Sequence, residues 1–139
     1  MRLATTTFDV RTKGPGLTDI TGPVSAWLTK QQATGGQLTL FIRHTSASLT
    51  IQENADPDVL ADLETFMETL VPWDGARYRH STEGPDDMPA HIRAALTNVS
   101  LTIPVIAGRL ALGTWQGLYL WEHRADPQNR QVIAQLLTA

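Results

Sequence analysis

Two histidine-bearing segments carry the residue types that acid–base, metal or anion chemistry requires. The first is His44-Thr45-Ser46-Ala47-Ser48, which sets three hydroxyls beside one imidazole at the end of an apolar run. Hydroxyls and free backbone N–H groups at a strand end can cradle an anion. A serine nucleophile with His44 as base is the other chemistry the segment offers, though it lacks the tight glycine-flanked elbow such nucleophiles often use. The second segment runs from His80 through Asp86 and Asp87 to His91. If Asp86 or Asp87 starts a helix, Asp87 and His91 stand four apart on one face. A carboxylate beside an imidazole fixes its tautomer and raises its basicity, which serves a general base or a metal ligand. His44, His80 and His91 together offer three nitrogen ligands and leave a position open for water or substrate.

Other candidates lie in the extended patterns. Glu53 continues the set of Leu49 and Ile51, and Thr114-Trp115-Gln116 sits between Gly113 and Gly117, where a ligand or another backbone can approach closely. Alternation over Leu110 to Arg124 separates Trp115, Tyr119, Trp121 and His123 from Thr114, Gln116, Leu118, Leu120 and Glu122. Glu122 behind an apolar row needs a partner or a proton if buried, and plain exposure at a strand end is the alternative. His123 reads as structural.

These residues need a scaffold. Leu3 to Arg11 reads as a strand, and Val24, Trp27 and Leu28 mark a helix with Thr21 or Asp19 as cap and Pro23 in its first turn. Gln37 to Arg43 reads as a buried strand, followed by a second through Leu49, Ile51 and Glu53. Asp56 suits a helix N-cap and Pro57 the first helical position. Val59, Leu60, Leu63, Phe66, Met67 and Leu70 then repeat at helical spacing, which predicts that one face goes to the core. Trp73 to Asp86 is a polar loop of functional length. A short helix over Met88 to Thr97 follows, then a strand over Ser100 to Ile106 that Pro104 confines to an edge or bulge. Gly108-Arg109 makes a turn. From Arg130 the tail satisfies either a helix or a strand.

Length and composition bound the rest. The 139 residues make one domain, and 42% hydrophobic with 18% charged residues is apolar enough to collapse. A net charge of −3 without a basic stripe argues against nucleic acid as the main partner. No cysteine is present, which excludes thiolate zinc sites, iron–sulfur clusters and cysteine nucleophiles. Neither a signal-peptide run nor a membrane-length apolar stretch occurs, so a cytoplasmic protein is expected. The order of elements predicts an α+β fold in a single domain over 1–139.

Three motifs resemble one family. The stretch from His44 to Asn54, the His80–His91 segment, and Ser100-Leu101-Thr102-Ile103-Pro104-Val105 with Gly108 and Gly113-Thr114-Trp115-Gln116 are similar to the YjbQ family, in the same order and over nearly the whole chain. The resemblance implies an α+β fold with a mixed sheet or sandwich and a few helices, a terminal strand, and a homotrimer. It also implies sites near subunit boundaries, with His44, His80, Asp87, His91 and Glu122 as catalytic candidates. Thr45, Ser46, Ser48, Glu53, Thr114, Trp115 and Gln116 are the substrate-binding candidates. The activity that goes with the family is a secondary thiamine-phosphate synthase: a pyrimidine methyl diphosphate joins a thiazole phosphate and expels pyrophosphate. That chemistry calls for charge neutralisation, with Mg²⁺ on Asp86, Asp87, Glu53 or Glu122 and with Arg43, Arg109 and Arg124 toward phosphate. Two other readings stand beside it. One is a trimeric metal- or anion-binding protein without turnover; the other is a metal-dependent hydrolase with zinc on the three histidines.

Overall fold

A computed structural model describes residues 1–139. Its eight strands are β1 (Arg2–Arg11), β2 (Gly16–Asp19), β3 (Gly35–Ile42), β4 (Ala47–Glu53), β5 (Ser100–Ile106), β6 (Arg109–Leu110), β7 (Gln116–Glu122) and β8 (Asn129–Thr138). Three α-helices lie between them: α1 (Thr21–Lys30), α2 (Pro57–Leu70) and α3 (Asp87–Leu96), with one 3₁₀ turn at Gly75–Arg77. The strands form two sheets, of order β1-β8-β3-β5-β6 and β2-β7-β4. The fold is α+β, and every pairing is antiparallel, so it is a sandwich with none of the parallel pairs a mixed sheet contains.

Alternation explains the layers. Leu38, Leu40 and Ile42 of β3, Ile103 and Val105 of β5, and Val132, Ala134 and Leu136 of β8 point one way from the larger sheet. They meet Leu49 of β4, Leu118 and Leu120 of β7, and Val24 and Leu28 of α1 in one core. The other side of the smaller sheet presents Trp121, which packs with Met67 and Val71 under α2 and α3. The tail is therefore a strand, pinned between β1 and β3 because only a period of two puts Arg130, Val132, Ala134 and Leu136 all inward.

Several local expectations change. The strand foreseen over Leu110 to Arg124 is split, since Ala111 to Trp115 leave the ladder and only Gln116–Glu122 form β7. Ala107 and Gly108, both at positive φ, make the two-residue turn of the β5–β6 hairpin, so Arg109 already belongs to β6. On α2 the Asp56 carboxylate accepts from Asp58 N–H at 2.9 Å as a cap, with Pro57 first in the helix. Yet Met67 alone of that face is buried, and Phe66 and Leu70 stand 63% and 55% exposed. The stripe is wider than the face of the three-stranded sheet that α2 crosses between β2 and β4. No helix is long and apolar enough to cross a membrane.

Candidate functional site

Helix α3 begins where the 71–86 loop returns to the smaller sheet. Asp86 occupies its N-cap position, but its carboxylate serves another element. It accepts from Arg124 Nε at 2.8 Å and from Ala125 N–H at 2.9 Å, just beyond β7. Arg124 Nη1 reaches Asp87 Oδ1 at 3.0 Å, so one guanidinium clamps both acids to the strand end. Asp87 is thereby held as the first residue of α3, with its side chain only 3% exposed.

Above this carboxylate stand two imidazoles. Asp87 Oδ2 lies 2.6 Å from His80 Nε2 and 3.2 Å from His91 Nε2, and the rings are 5.4 Å apart. Helical spacing supplies the second contact and the loop supplies the first. Their side chains are 41% and 31% exposed, so the cluster opens to solvent on the imidazole side. Burial works to raise the Asp87 carboxyl, but the His80 hydrogen bond and the charge of Arg124 outweigh it and hold Asp87 below the usual range.

The tautomer of His91 follows from its other nitrogen. Nδ1 lies 2.9 Å from the carbonyl oxygen of Thr45, which can only accept, so Nδ1 carries a proton. In neutral His91 the Nε2 lone pair then faces the Asp87 Oδ2 lone pair, an arrangement that requires a proton or a cation between them. The donor atoms of His80, Asp87 and His91 all lie within 4.8 Å of one another. Zinc bound tetrahedrally at 2.0–2.1 Å sets its ligand atoms about 3.3 Å apart. Two nitrogens and one oxygen around a solvent-open point could hold a divalent ion once the 2.6 Å His80–Asp87 contact opens to that spacing, with the Thr45 carbonyl orienting His91.

His44 does not join them. Its Nε2 accepts from Gln131 N–H at 2.9 Å, which turns the ring toward β8, and Asp87 takes the place foreseen for a third histidine. Burial, and next the charge of Arg130, lower the His44 pKa, so the ring is neutral. Ser46 accepts from Arg130 Nη2 through both its carbonyl at 3.1 Å and its hydroxyl at 2.9 Å.

Glu122 and Ser48 are both fully buried. Glu122 is 0% exposed, between the sheets, where Arg130 of β8 engages both its oxygens and Thr12 donates to it at 2.7 Å. It positions the 44–46 segment through Arg130. Ser48, also 0% exposed, is hydrogen-bonded to His123 Nε2 at 2.9 Å. Burial first, then the charge of Arg93, push His123 down to about 3. Glu53, Thr114, Trp115 and Gln116 lie at the far end of the β4–β7 ladder. Glu53 pairs with Gln116 there, while Ala47 pairs with Glu122 at the near end. Six residue steps at ~3.4 Å separate the two ends by roughly 20 Å. Their contacts are those of a locked turn: Asn54 Nδ2 donates to the Thr114 carbonyl at 3.1 Å, and Gly113 N–H donates to Gln116 Oε1 at 2.7 Å.

Arg124 and Arg130 are the residues whose roles here sequence reasoning missed. Arg130 was open to discovery, since a buried Glu122 demands a cation and a strand reading of the tail turns Arg130 inward.

A family model described as UPF0047 protein YjbQ-like matches residues 6–139. A UPF0047 protein of Synechocystis is 57% identical over 127 residues, covering 91% of this chain and 86% of its own. The UPF0047 protein YjbQ of Salmonella typhimurium is 54% identical over 101 residues, 73% of this chain and 72% of its own. Among solved structures, a hypothetical protein of Aeropyrum pernix superimposes with a TM-score of 0.89 at 30% identity, over 98% of this chain and 99% of that one. An uncharacterised YjbQ/UPF0047-family protein of Clostridium acetobutylicum gives 0.86 at 33% identity, over 95% and 99%.

Proposed function

The chain belongs to the YjbQ-like UPF0047 family, and from that premise and the geometry of residues 80–91 we propose that it is a metal-assisted enzyme acting on a small phosphorylated or heterocyclic substrate. The observation that carries this reading is the convergence of His80 Nε2, His91 Nε2 and Asp87 Oδ2, with the His91 tautomer fixed by the Thr45 carbonyl. Two imidazoles and one carboxylate favour zinc or a similar transition ion over magnesium, which prefers all-oxygen ligands. When bound, such an ion supplies Lewis acidity and lowers the pKa of water to about 7. The chain's own residues do the rest. Thr45 keeps the proton of His91 on Nδ1 and leaves Nε2 free as a ligand; Arg124 holds Asp87 Oδ1 and with it the carboxylate's angle; His80 stands at the solvent-facing rim.

Hydrolysis by activated water is the reaction class this donor set favours. The thiamine-phosphate synthase reading keeps one specific support, the cleft lined by Arg43, Thr45 and Arg130, where a phosphorylated partner could sit. The proposal extends to a cytoplasmic homotrimer. Only a neighbouring copy could bring Glu53, Trp115 and Gln116 to the cluster, because one chain keeps them roughly 20 Å from its strand end.

Metal analysis of untagged protein, followed by phosphatase, esterase and thiamine-phosphate assays on the loaded form, tests the reading. About one zinc per chain, lost in Asp87→Asn and His91→Ala with their fold intact, together with turnover lost in the same variants, is expected. Metal without turnover on any substrate class would leave a binding protein. A chain that takes up no zinc or other transition ion sinks the proposal.

A further inference from the structure

A cavity of about 500 Å³ is lined in part by Thr45, whose carbonyl also contacts His91 of the His80–Asp87–His91 cluster. Its polar lining comes from Arg43, His44, Thr45, Ser46 and Arg130, and no carboxylate contributes to it. Glu122, fully buried, has both oxygens engaged by Arg130 of the lining.

Unpaired donors predominate in this lining, beside the carbonyls of Arg43 and His44, which accept from nothing in the chain. The peptide N–H groups of His44, Thr45 and Ser46, between β3 and β4, donate to nothing in the chain. The Thr45 carbonyl is occupied by His91. His44 Nε2 is filled by Gln131 N–H, which places the ring proton on Nδ1 and leaves that N–H free. Ser46 Oγ already accepts from Arg130, so its hydroxyl proton is free to donate. Arg130 is 5% exposed and uses Nε and Nη2 on Glu122 and Ser46, while Nη1 has no partner. Arg43 forms no ion pair.

Successive unpaired N–H groups beside guanidinium donors are an oxyanion receptor. A carboxylate offers two oxygens and a phosphoryl group three, and a donor set of this size suits the larger count. Phe41 and Val99, 45% and 41% exposed, add an apolar wall for an attached ring. We infer that this cavity seats the phosphoryl group of a small organic phosphate, with the ring against Phe41 and Val99. Its role as the substrate's anchor rests on the metal-assisted reading of the neighbouring cluster; its capacity to hold phosphate does not.

Metal-free protein is titrated with inorganic phosphate at constant ionic strength, by calorimetry and by backbone amide NMR. Saturable binding is expected, with the His44, Thr45 and Ser46 amide signals among those that move most. Arg43→Ala and His44→Ala should each weaken binding about tenfold, as loss of a charged or charge-assisted donor does. Arg43 is exposed, so its removal leaves the fold intact, and the thermal midpoint verifies this for both variants. Absence of saturation, movement of amides elsewhere only, or unchanged affinity in both variants overturns the assignment. Because no metal is present, this outcome is independent of the zinc titration, and the two proposals stand or fall separately.

Discussion

The two nitrogens of His91 face opposite demands: Nδ1 must donate to Thr45, and the contact of Nε2 with Asp87 must then be bridged by a proton or a cation. Metal binding satisfies this and displaces protons from the imidazoles, so zinc affinity should fall as the pH is lowered. Asp87→Asn should weaken zinc by ten- to a hundredfold or more, as loss of a ligand or its orienting partner does; equal affinity in the variant would remove Asp87 from the site. His123 gives a separate pH effect. Its pKa is depressed to about 3 in the fold, against 6.5 as the ordinary value, so the unfolded chain binds the proton first. Stability from this residue is complete above about pH 6.5 and is lost at ~1.4 kcal/mol per unit as the pH falls toward 3. Thermal midpoints from pH 7 to 4 should drop more steeply in wild type than in His123→Gln, and parallel curves would contradict this. At this scale the sequence made the Asp87–His91 pair legible, because four-residue spacing on a helix is local geometry. The His44 assignment was not legible: what turns its ring is Gln131, 87 residues away, and no spacing rule sees that contact.

The elements are joined by polar contacts as well as by the core. Glu122 of β7 and Arg130 of β8 belong to different sheets, and their ion pair, with Thr12 and Ser46, staples the sandwich at the end that carries the site. Removing one partner leaves a buried charge, so Glu122→Leu should cost about 3–5 kcal/mol in denaturant unfolding. The double variant Glu122→Leu/Arg130→Met should recover most of that stability while releasing Ser46; a double variant as unstable as the single would show that the pair itself stabilises. At the N-terminus of α2, Asp56→Ala should cost ~1 kcal/mol, since the cap is a single hydrogen bond to Asp58. An unchanged unfolding midpoint would mean the helix start is held by Pro57 and packing alone. Caps and alternation made these elements readable, Asp56-Pro57 most clearly. The exposed Phe66 and Leu70 were not readable as exposed, because periodicity marks an apolar face without saying whether this chain covers it.

The larger sheet has one side that nothing in the chain covers. The helices pack on β2, β4, β6 and β7, all away from this side. Its outward residues are Leu3, Thr5 and Thr7 of β1, Ile133, Gln135 and Leu137 of β8, Gln37, Thr39 and Phe41 of β3, and Thr102, Pro104 and Ile106 of β5. Charge is confined to the rim, at Asp9 and Arg11 at one end and at Arg109 beside Ile106 on the β6 edge. A solvated antiparallel face normally carries charged side chains that discourage association. One whose centre is uncharged, with Leu3, Ile106 and Leu137 exposed, is the surface a second copy would bury. A ring of three uses a heterologous contact, so this face must meet a different patch on its neighbour. Placing a charge in the middle of the face should break the ring and leave each chain folded, because Thr39 and Thr102 point away from the core. Light scattering of wild type should therefore give three times the 15.3 kDa chain mass, and Thr39→Arg/Thr102→Glu should give a monomer with wild-type circular dichroism. A monomeric wild type would refute the trimer, and a trimeric double variant would move the interface to another surface. If the monomer also loses turnover while keeping its zinc, the neighbour supplies part of the site, and Trp115 and Gln116 return as candidates for that contribution.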